Sequence, residues 1–583
     1  PFSYHSPAPS ERIAVPLLTL PRLKADELLI AAALCAAPWL ASAQPVSGAA
    51  APTSVTLLVP AAQPGAPLPR ELGKPEDDVE VTVDRYQIDG LSAPTPEAVA
   101  LLTEATAPYV GGKRSFEDLV NATAAVTRVL QRDLGYYVGF AYLPEQAAGT
   151  GVVHIQVLEG RLDEVTLNWP QDAAAAPPVR RDIVEAHLSA LRPGSILRVR
   201  DVERVAFLIN DLRGISTRFE IGPGRELGTA SLIVTPRAES RVITRVELDT
   251  LGSRYTGRGR LGGVVGVASP TGRGDALSIS SLTSLTGGLG YGGISYALPV
   301  GTQGLKLGAS LARVHYEIDE DDYPQQLNGH AVAGGLTALY PMVRTRNLNV
   351  FGQAGFEDKR FTDRQDGVPA RRKRSHDWQF SLLGDFRDQA FGGAINTFEV
   401  NWLQGRMRYE DGEAPAGLKR NFGKATLAYS RLQNLVSNRL QFYGRYKAQL
   451  SGTSLDASER FAVGGPSSVR AFAPGEASAD TGHVLTGELR FLPPEAWFGR
   501  VSRELVFTAF YDWGHAKFSH DADLQVAGRD NTATLSAHGL GVIWERPNDM
   551  AFRLNLAWRG AGDAVADPID HSFRANAVLS KTF

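Results

Sequence analysis

From about residue 240 to the carboxy terminus, apolar and polar side chains alternate in short segments. Leu440, Phe442, Gly444, Tyr446, Ala448 and Leu450 interleave with Gln441, Tyr443, Arg445, Lys447 and Gln449. Phe552, Leu554, Leu556 and Trp558 interleave with Arg553, Asn555 and Arg559, and Val242, Thr244, Val246 and Leu248 with Arg241, Arg245, Glu247 and Asp249, broken only by Ile243. A period of two puts each set on one face of a sheet. The apolar face then meets either another sheet, in a soluble sandwich, or lipid, in a membrane barrel.

Three features favour the barrel. Roughly sixteen segments of ~10 residues lie between Arg241 and Phe583, an even number of spanning length. Connections after even segments are short (Ser269–Gly274, Pro299–Gln303), whereas those after odd segments include long ones (Lys359–Ser375, Ser451–Thr481, His515–Ala533). The last segment, Ser572–Phe583, ends on Phe583, a terminal aromatic that suits a barrel closing strand. The expected fold is a transmembrane β-barrel of about 16 antiparallel strands over residues 239–583.

The preceding residues have another character. Arg22 and Lys24, the apolar run Leu28–Leu34 and Ala41-Ser42-Ala43 read as a signal peptide over 1–43. Residues 44–78 are a Pro/Ala-rich linker, too rich in proline for a long helix. Residues 79–160 read strand (Val79–Ile88), helix (Pro94–Ala107), helix (Ser115–Leu134), strand (Val138–Leu143), strand (Val152–Leu158), and residues 161–238 repeat that order. Ser115 with Asp118 has the spacing of a capping box.

Several functions find no support. A net charge of −3 gives no argument for nucleic acid. The single cysteine, Cys35, lies in the signal segment, so the exported chain has no thiol or disulfide chemistry. Gly257–Gly262 matches G-x-G-x-x-G but lies at a hairpin, not at a strand-to-helix turn. No nucleophile elbow, Walker motif or metal spacing occurs; no cofactor and no enzymatic activity are expected. The acidic run Glu317–Asp322 lacks the full spacing of a calcium loop. Arg371-Arg372-Lys373-Arg374 reads as a solvated charge run.

Residues 451–481, SGTSLDASERFAVGGPSSVRAFAPGEASADT, form a loop long enough to be functional or mobile. Gly464-Gly465-Pro466 allows a sharp turn, and Arg470 follows it as a permanent cation. With these pieces in place the chain resembles the two-partner secretion transporters, outer-membrane exporters of hemolysins and filamentous adhesins within the BamA-like barrel superfamily. GYYVGFAYLPEQ (135–146) and TGVVHIQVLEGRL (150–162) resemble that family's first POTRA (polypeptide-transport-associated) domain. LGSRYTGRGRLGG (251–263) resembles its first hairpin and YPMVRTRNLNV (340–350) a mid-barrel motif.

The resemblance implies two periplasmic POTRA domains (79–160 and 161–238) and an outer-membrane barrel whose sixth extracellular loop, 451–481, inserts into the lumen. The superfamily's loop motif Val-Arg-Gly-aromatic falls on Val469, Arg470, Ala471 and Phe472, with alanine in place of glycine. That change is expected to alter the tip if the position needs φ > 0. Its Phe-x-Asp-x-Gly partner motif falls on Phe510, Asp512 and Gly514, which nominates Asp512 as the carboxylate for Arg470. A wet lumen would keep that pair below the cost of a buried one. The implied partners are an unfolded exoprotein client, outer-membrane lipids, and the barrel-assembly machinery reading the strand that ends at Phe583. A barrel-assembly factor and a passive porin remain alternatives.

Overall fold

The structure, a computed structural model, describes residue 72 and residues 80–583, except 93, 147–149, 319–326, 411–416, 437–438, 522–523, 526–529 and 564–571. The expected signal peptide, the linker apart from residue 72, and most of the acidic run lie outside the described residues.

The amino-terminal unit holds two α+β repeats. In the first, β1 (Glu80–Thr82) pairs with β3 (Lys113–Ser115), and β2 (Arg85–Asp89), β4 (Phe140–Tyr142) and β5 (Val152–Leu158) form a sheet in the order β2-β5-β4. Helices α1 (Pro96–Thr106) and α2 (Phe116–Arg128) cover it. Helix α2 starts where the sequence signals it: Asp118 N–H donates to Ser115 Oγ, and Ser115 N–H to Asp118 Oδ2. Alternate residues Val153, Ile155 and Val157 of β5 pack on Leu119, Ala122 and Val126, one apolar stripe of α2. The second repeat has β6 (Arg161–Leu167), α3 (Arg181–Leu188), α4 (Val199–Asn210), β7 (Ile215–Pro223) and β8 (Thr229–Ala238), with sheet order β6-β8-β7. Its core is separate, built on Leu232, Val234, Val205 and Ile209.

The second unit is a closed barrel. Its strands are β9 (Val242–Asp249), β10 (Arg260–Ala268), β11 (Ala276–Ser284), β12 (Leu289–Val300), β13 (Leu305–Glu317), β14 (Asn328–Arg344), β15 (Leu348–Gln365), β16 (Val368–Asp388), β17 (Ala394–Tyr409), β18 (Asn421–Val436) and β19 (Leu440–Ser451). The short pair β20 (Phe461–Ala462) and β21 (Ser478–Ala479) belongs to the loop. Then follow β22 (Thr481–Phe491), β23 (Leu505–Lys517), β24 (Thr532–Glu545), β25 (Met550–Arg559) and β26 (Phe573–Thr582). Sixteen strands, β9–β19 and β22–β26, pair with their sequence neighbours, and β26 closes on β9. Leu307, Leu311, Leu336, Trp378, Phe380, Val400 and Trp402 are exposed on the outer face, the side that meets lipid. Their alternates line the lumen. Closure is short: β26 pairs with β9 from Val578↔Asp249 to Thr582↔Arg245. Phe583 extends it, its N–H donating to Thr244 O at 2.8 Å and its carbonyl accepting from Thr244 N–H at 3.3 Å.

Two readings of the sequence need correction. Lys359–Ser375 is not a loop: β15 and β16 continue through it and turn only at Asp366-Gly367, with φ of 51° and 77°. Both residues occupy the left-handed region, the conformation for which Asp-Gly hairpin turns are selected. Nor is Arg371–Arg374 a solvated run. It lies on β16, so its residues alternate between faces: Lys373 is buried in the lumen, and Arg374 Nε donates to Asp358 across the strand pair at 2.7 Å.

Candidate functional site in the barrel lumen

The loop between β19 and β22 folds against lumen-facing side chains. Period two explains the Phe-x-Asp-x-Gly spacing on β23: Phe510, Asp512 and Gly514 face the lumen, and the intervening Tyr511 and Trp513 are exposed outside. Each inward residue meets the loop. A Cβ on Gly514 would stand 2.4 Å from Val463 Cγ1 and 3.0 Å from Val469 Cγ2, so only glycine admits the loop tip. Phe510 lies flat under the cation, 3.3 Å from its ring centroid to Arg470 Cζ.

Asp512 is the anchor. Arg470 donates from Nε to Oδ2 at 2.8 Å and from Nη2 to Oδ1 at 3.0 Å, and its main-chain N–H donates to Oδ2 at 3.2 Å. This fork matches the planar guanidinium to both carboxylate oxygens. Thr486 Oγ donates to Asp512 Oδ1 from the neighbouring strand. The pair is dry rather than wet: Asp512 is fully buried and the Arg470 side chain only 9% exposed. Removing one partner therefore belongs in the range of about 3–5 kcal/mol.

A second carboxylate, absent from the sequence reading, completes the site. Arg470 Nη1 donates to Glu488 Oε2 at 3.0 Å, and Glu488 Oε1 accepts from Arg490 Nε at 2.8 Å. Asn576 on β26 donates to the Arg470 carbonyl at 3.1 Å. Around this polar centre Val463, Val469, Ala471, Phe472 and Ala479 of the loop pack with Val484, Phe510, Ala516, Leu535, Ala537 and Ala557 of the wall. Ala471 is fully buried and does not have positive φ, so the alanine costs no left-handed strain and the expected change at the tip does not arise.

The ascending arm of the loop has its own anchorage, also missed. Glu459 is fully buried, with Oε1 3.2 Å from Lys359 Nζ on β15 and Oε2 2.9 Å from Lys424 Nζ on β18. Lys359 also faces Asp377 at 2.8 Å and Glu357 at 3.5 Å. Lys373 on β16 reaches Asp456 at 2.5 Å, and Tyr409 Oη donates to the same carboxylate at 2.9 Å. At the far end Asp480 is fully buried, accepts from Leu455 N–H at 3.1 Å and faces Arg460 at 3.2 Å. Period two held the signal for this cluster: Glu357, Lys359, Phe361, Lys373, Ser375 and Asp377 all fall on one face of the β15–β16 pair.

Phe583, the other nominated residue, lies at the β26–β9 closure and is 70% exposed, away from the loop. Among the described residues no group of His, Cys, Asp or Glu could hold a metal ion.

Comparison with known proteins gives these features a setting. Residues 81–160 match the ShlB-type POTRA domain. The heme/hemopexin transporter protein HuxB of Haemophilus influenzae (strain 86-028NP) is 25% identical over 462 residues, 77% of this chain and 78% of that protein. Outer membrane transporter CdiB of Escherichia coli O6:K15:H31 (strain 536 / UPEC) is 27% identical over 420 residues, 70% of this chain and 68% of its own. The solved structure of CdiB from Escherichia coli superposes with a TM-score of 0.68 at 20% identity, covering 88% of this chain and 92% of that one. CdiB from Acinetobacter baumannii gives 0.62 at 16% identity, covering 89% and 95%. Residues 228–535, more than half the chain, match the haemolysin secretion/activation protein family ShlB/FhaC/HecB. The chain belongs to that family, and it is a two-partner secretion transporter of the outer membrane with its POTRA domain in the periplasm.

Proposed function

We propose that the loop 451–481 is the working part of the exporter, held in the lumen by Arg470, and that an unfolded client threads past it. The observation that carries this reading is the Arg470 fork to Asp512, backed by Glu488, inside a closed sixteen-stranded barrel. A barrel of that size has room for an extended chain but not for a folded domain. A passive porin needs neither such a loop nor periplasmic repeats.

Residues 79–160 and 161–238 act as two POTRA domains that receive the client. Their sheets end on β2 and β4 and on β6 and β7, edges that offer main-chain hydrogen bonds without demanding sequence. Val138 and Phe140 are exposed at the β4 edge, an apolar contact for an unfolded segment. The client is an exoprotein of hemolysin or filamentous adhesin type. Its folding outside the cell removes the extended state and gives the net direction. The outer face of residues 239–583 meets outer-membrane lipid, and the strand ending at Phe583 is the one that barrel-assembly machinery reads. No enzymatic step is needed.

The experiment replaces Arg470 with alanine, checks barrel assembly by heat-modifiable migration, and assays the client in the supernatant. An assembled but export-deficient barrel is expected. Full export by the assembled variant would falsify the role given to Arg470.

A further inference from the structure

Strand β9 follows directly on the periplasmic residues, so every turn after an even barrel strand faces the periplasm. Most of these turns are polar, as Ser269–Asp275, Gly301–Gly304 and Arg546–Asp549 are. Three consecutive ones differ. The β16–β17 turn carries Phe391, which is 89% exposed. At the β18–β19 turn Leu435 and Val436 are exposed. The β22–β23 turn forms α5 (Glu495–Phe498) and a following 3-10 turn, and displays Trp497 at 61%, Phe498 at 47% and Val501 at 45% exposure. Because β16 to β19 and β22 to β23 are neighbours in the ring, these side chains form one apolar arc along the periplasmic rim.

The arc is built. Phe391 has φ 52° and ψ 35°, a left-handed conformation that a bulky residue adopts only when its surroundings impose it. Buried Gln433 imposes it: its Nε2 lies 3.0, 2.9 and 3.1 Å from the carbonyl oxygens of Ala390, Phe391 and Gly393. At the other end Trp497 packs tilted against Phe491 at 5.5 Å, and Phe498 lies 6.0 Å from Phe507, centroid to centroid. Phe491 and Phe507 are strand residues, and Leu485 and Leu489 continue outward exposure along β22. The arc is thus continuous with the lipid-facing band. Exposed Arg439 and Arg500 flank it, suited to headgroup phosphates.

We propose that Phe391, Leu435, Val436, Trp497, Phe498 and Val501 form an interfacial foot that dips into the phospholipids of the periplasmic leaflet. Aromatic side chains with one apolar side and one wet side settle at that depth. The foot fixes the barrel in height and tilt on the side of β16 to β23, away from the β26–β9 closure. The other occupant of such a surface would be a periplasmic protein.

The test uses the full chain in vesicles of phosphatidylethanolamine and phosphatidylglycerol, with acyl chains unmodified, brominated near the headgroup or brominated near the chain end. The emission difference between the wild type and Trp497→Phe isolates Trp497 from the other tryptophans. Phe391→Trp supplies an independent reporter. Either barrel orientation places the rim at a leaflet, so orientation does not blur the result. Bromine near the headgroup is expected to reduce both signals roughly twofold, and more than bromine near the chain end. Signals that neither brominated lipid quenches, as for rings in water or against a protein, overturn the proposal.

Discussion

Arg470 and Asp512 make three hydrogen bonds to each other across 42 positions of sequence, two from the guanidinium and one from the main chain. The side-chain bonds hold the charge, and the main-chain bond holds the backbone at the loop tip. Asp512→Asn leaves the shape and removes the charge, stranding a buried cation beside Glu488 alone. It should cost about 3–5 kcal/mol of loop docking. The measurement is thiol labelling of Ser458→Cys, a buried loop position, in a chain whose single cysteine, Cys35, is replaced by alanine. Labelling no faster in the Asp512→Asn background would show that the pair does not hold the loop.

The lysine cluster on the opposite wall predicts a second, separable effect. Glu459→Gln leaves Lys359 and Lys424 without their shared counter-charge, so the ascending arm should loosen while Arg470 stays docked. Single-channel conductance in planar bilayers is expected to rise. A double variant with Asp512→Asn should be close to additive, because the sites share no partner.

Ala471→Gly should change little. The position is buried without positive φ, so glycine relieves nothing and adds chain entropy to the unfolded loop, about 1 kcal/mol at most. Export within error of the wild type is expected. A marked gain in export would mean that alanine strains the tip after all.

Deleting Phe583 removes two main-chain hydrogen bonds to Thr244 from a closure that is already short. The yield of heat-modifiable barrel should fall while any assembled fraction exports normally. Phe583→Leu keeps the main-chain bonds, so comparing the two separates pairing from recognition of the aromatic ring.

The periplasmic unit should respond to pH through His187. It is buried on α3, its Nδ1 2.8 Å from Ile183 O, and burial pushes its imidazole below the ordinary 6.5. A depressed folded pKa means the unfolded chain binds the proton first. Stability is therefore full above about 6.5 and is lost as pH falls through the lower folded value. Relative to the intrinsic rate at each pH, amide exchange along α3 should accelerate as pH falls from about 7.5 to about 5.5. In His187→Gln that acceleration should disappear.

The barrel was legible because lipid and lumen impose a period of two on every strand, and Leu440–Leu450 shows it without a break. The hairpin at Asp366-Gly367 was hidden by its charge: above the membrane both faces of β15 and β16 are polar, so apolar alternation fades while the strands continue. Asp512 could be nominated because Phe510-x-Asp512-x-Gly514 matches a motif of the superfamily that the chain resembles. Glu488, Lys359 and Lys424 could not, because their partnership with the loop exists only through strand register. The extent of burial was equally invisible, since a lumen packed by Val463, Val469 and Phe472 reads in sequence like any small-residue loop.

Anchored on β15, β16 and β18 at one end and on β22, β23 and β26 at the other, the loop ties together strands up to eight places apart (β16 and β26), half of a ring of sixteen. It acts as a tie rod across the bore. A cylinder with a tie rod resists flattening, so the cross-section cannot widen along that line while both ends hold. Passage of a bulky segment of client then becomes a mechanical event: the wall can yield only as fast as one end of the rod lets go.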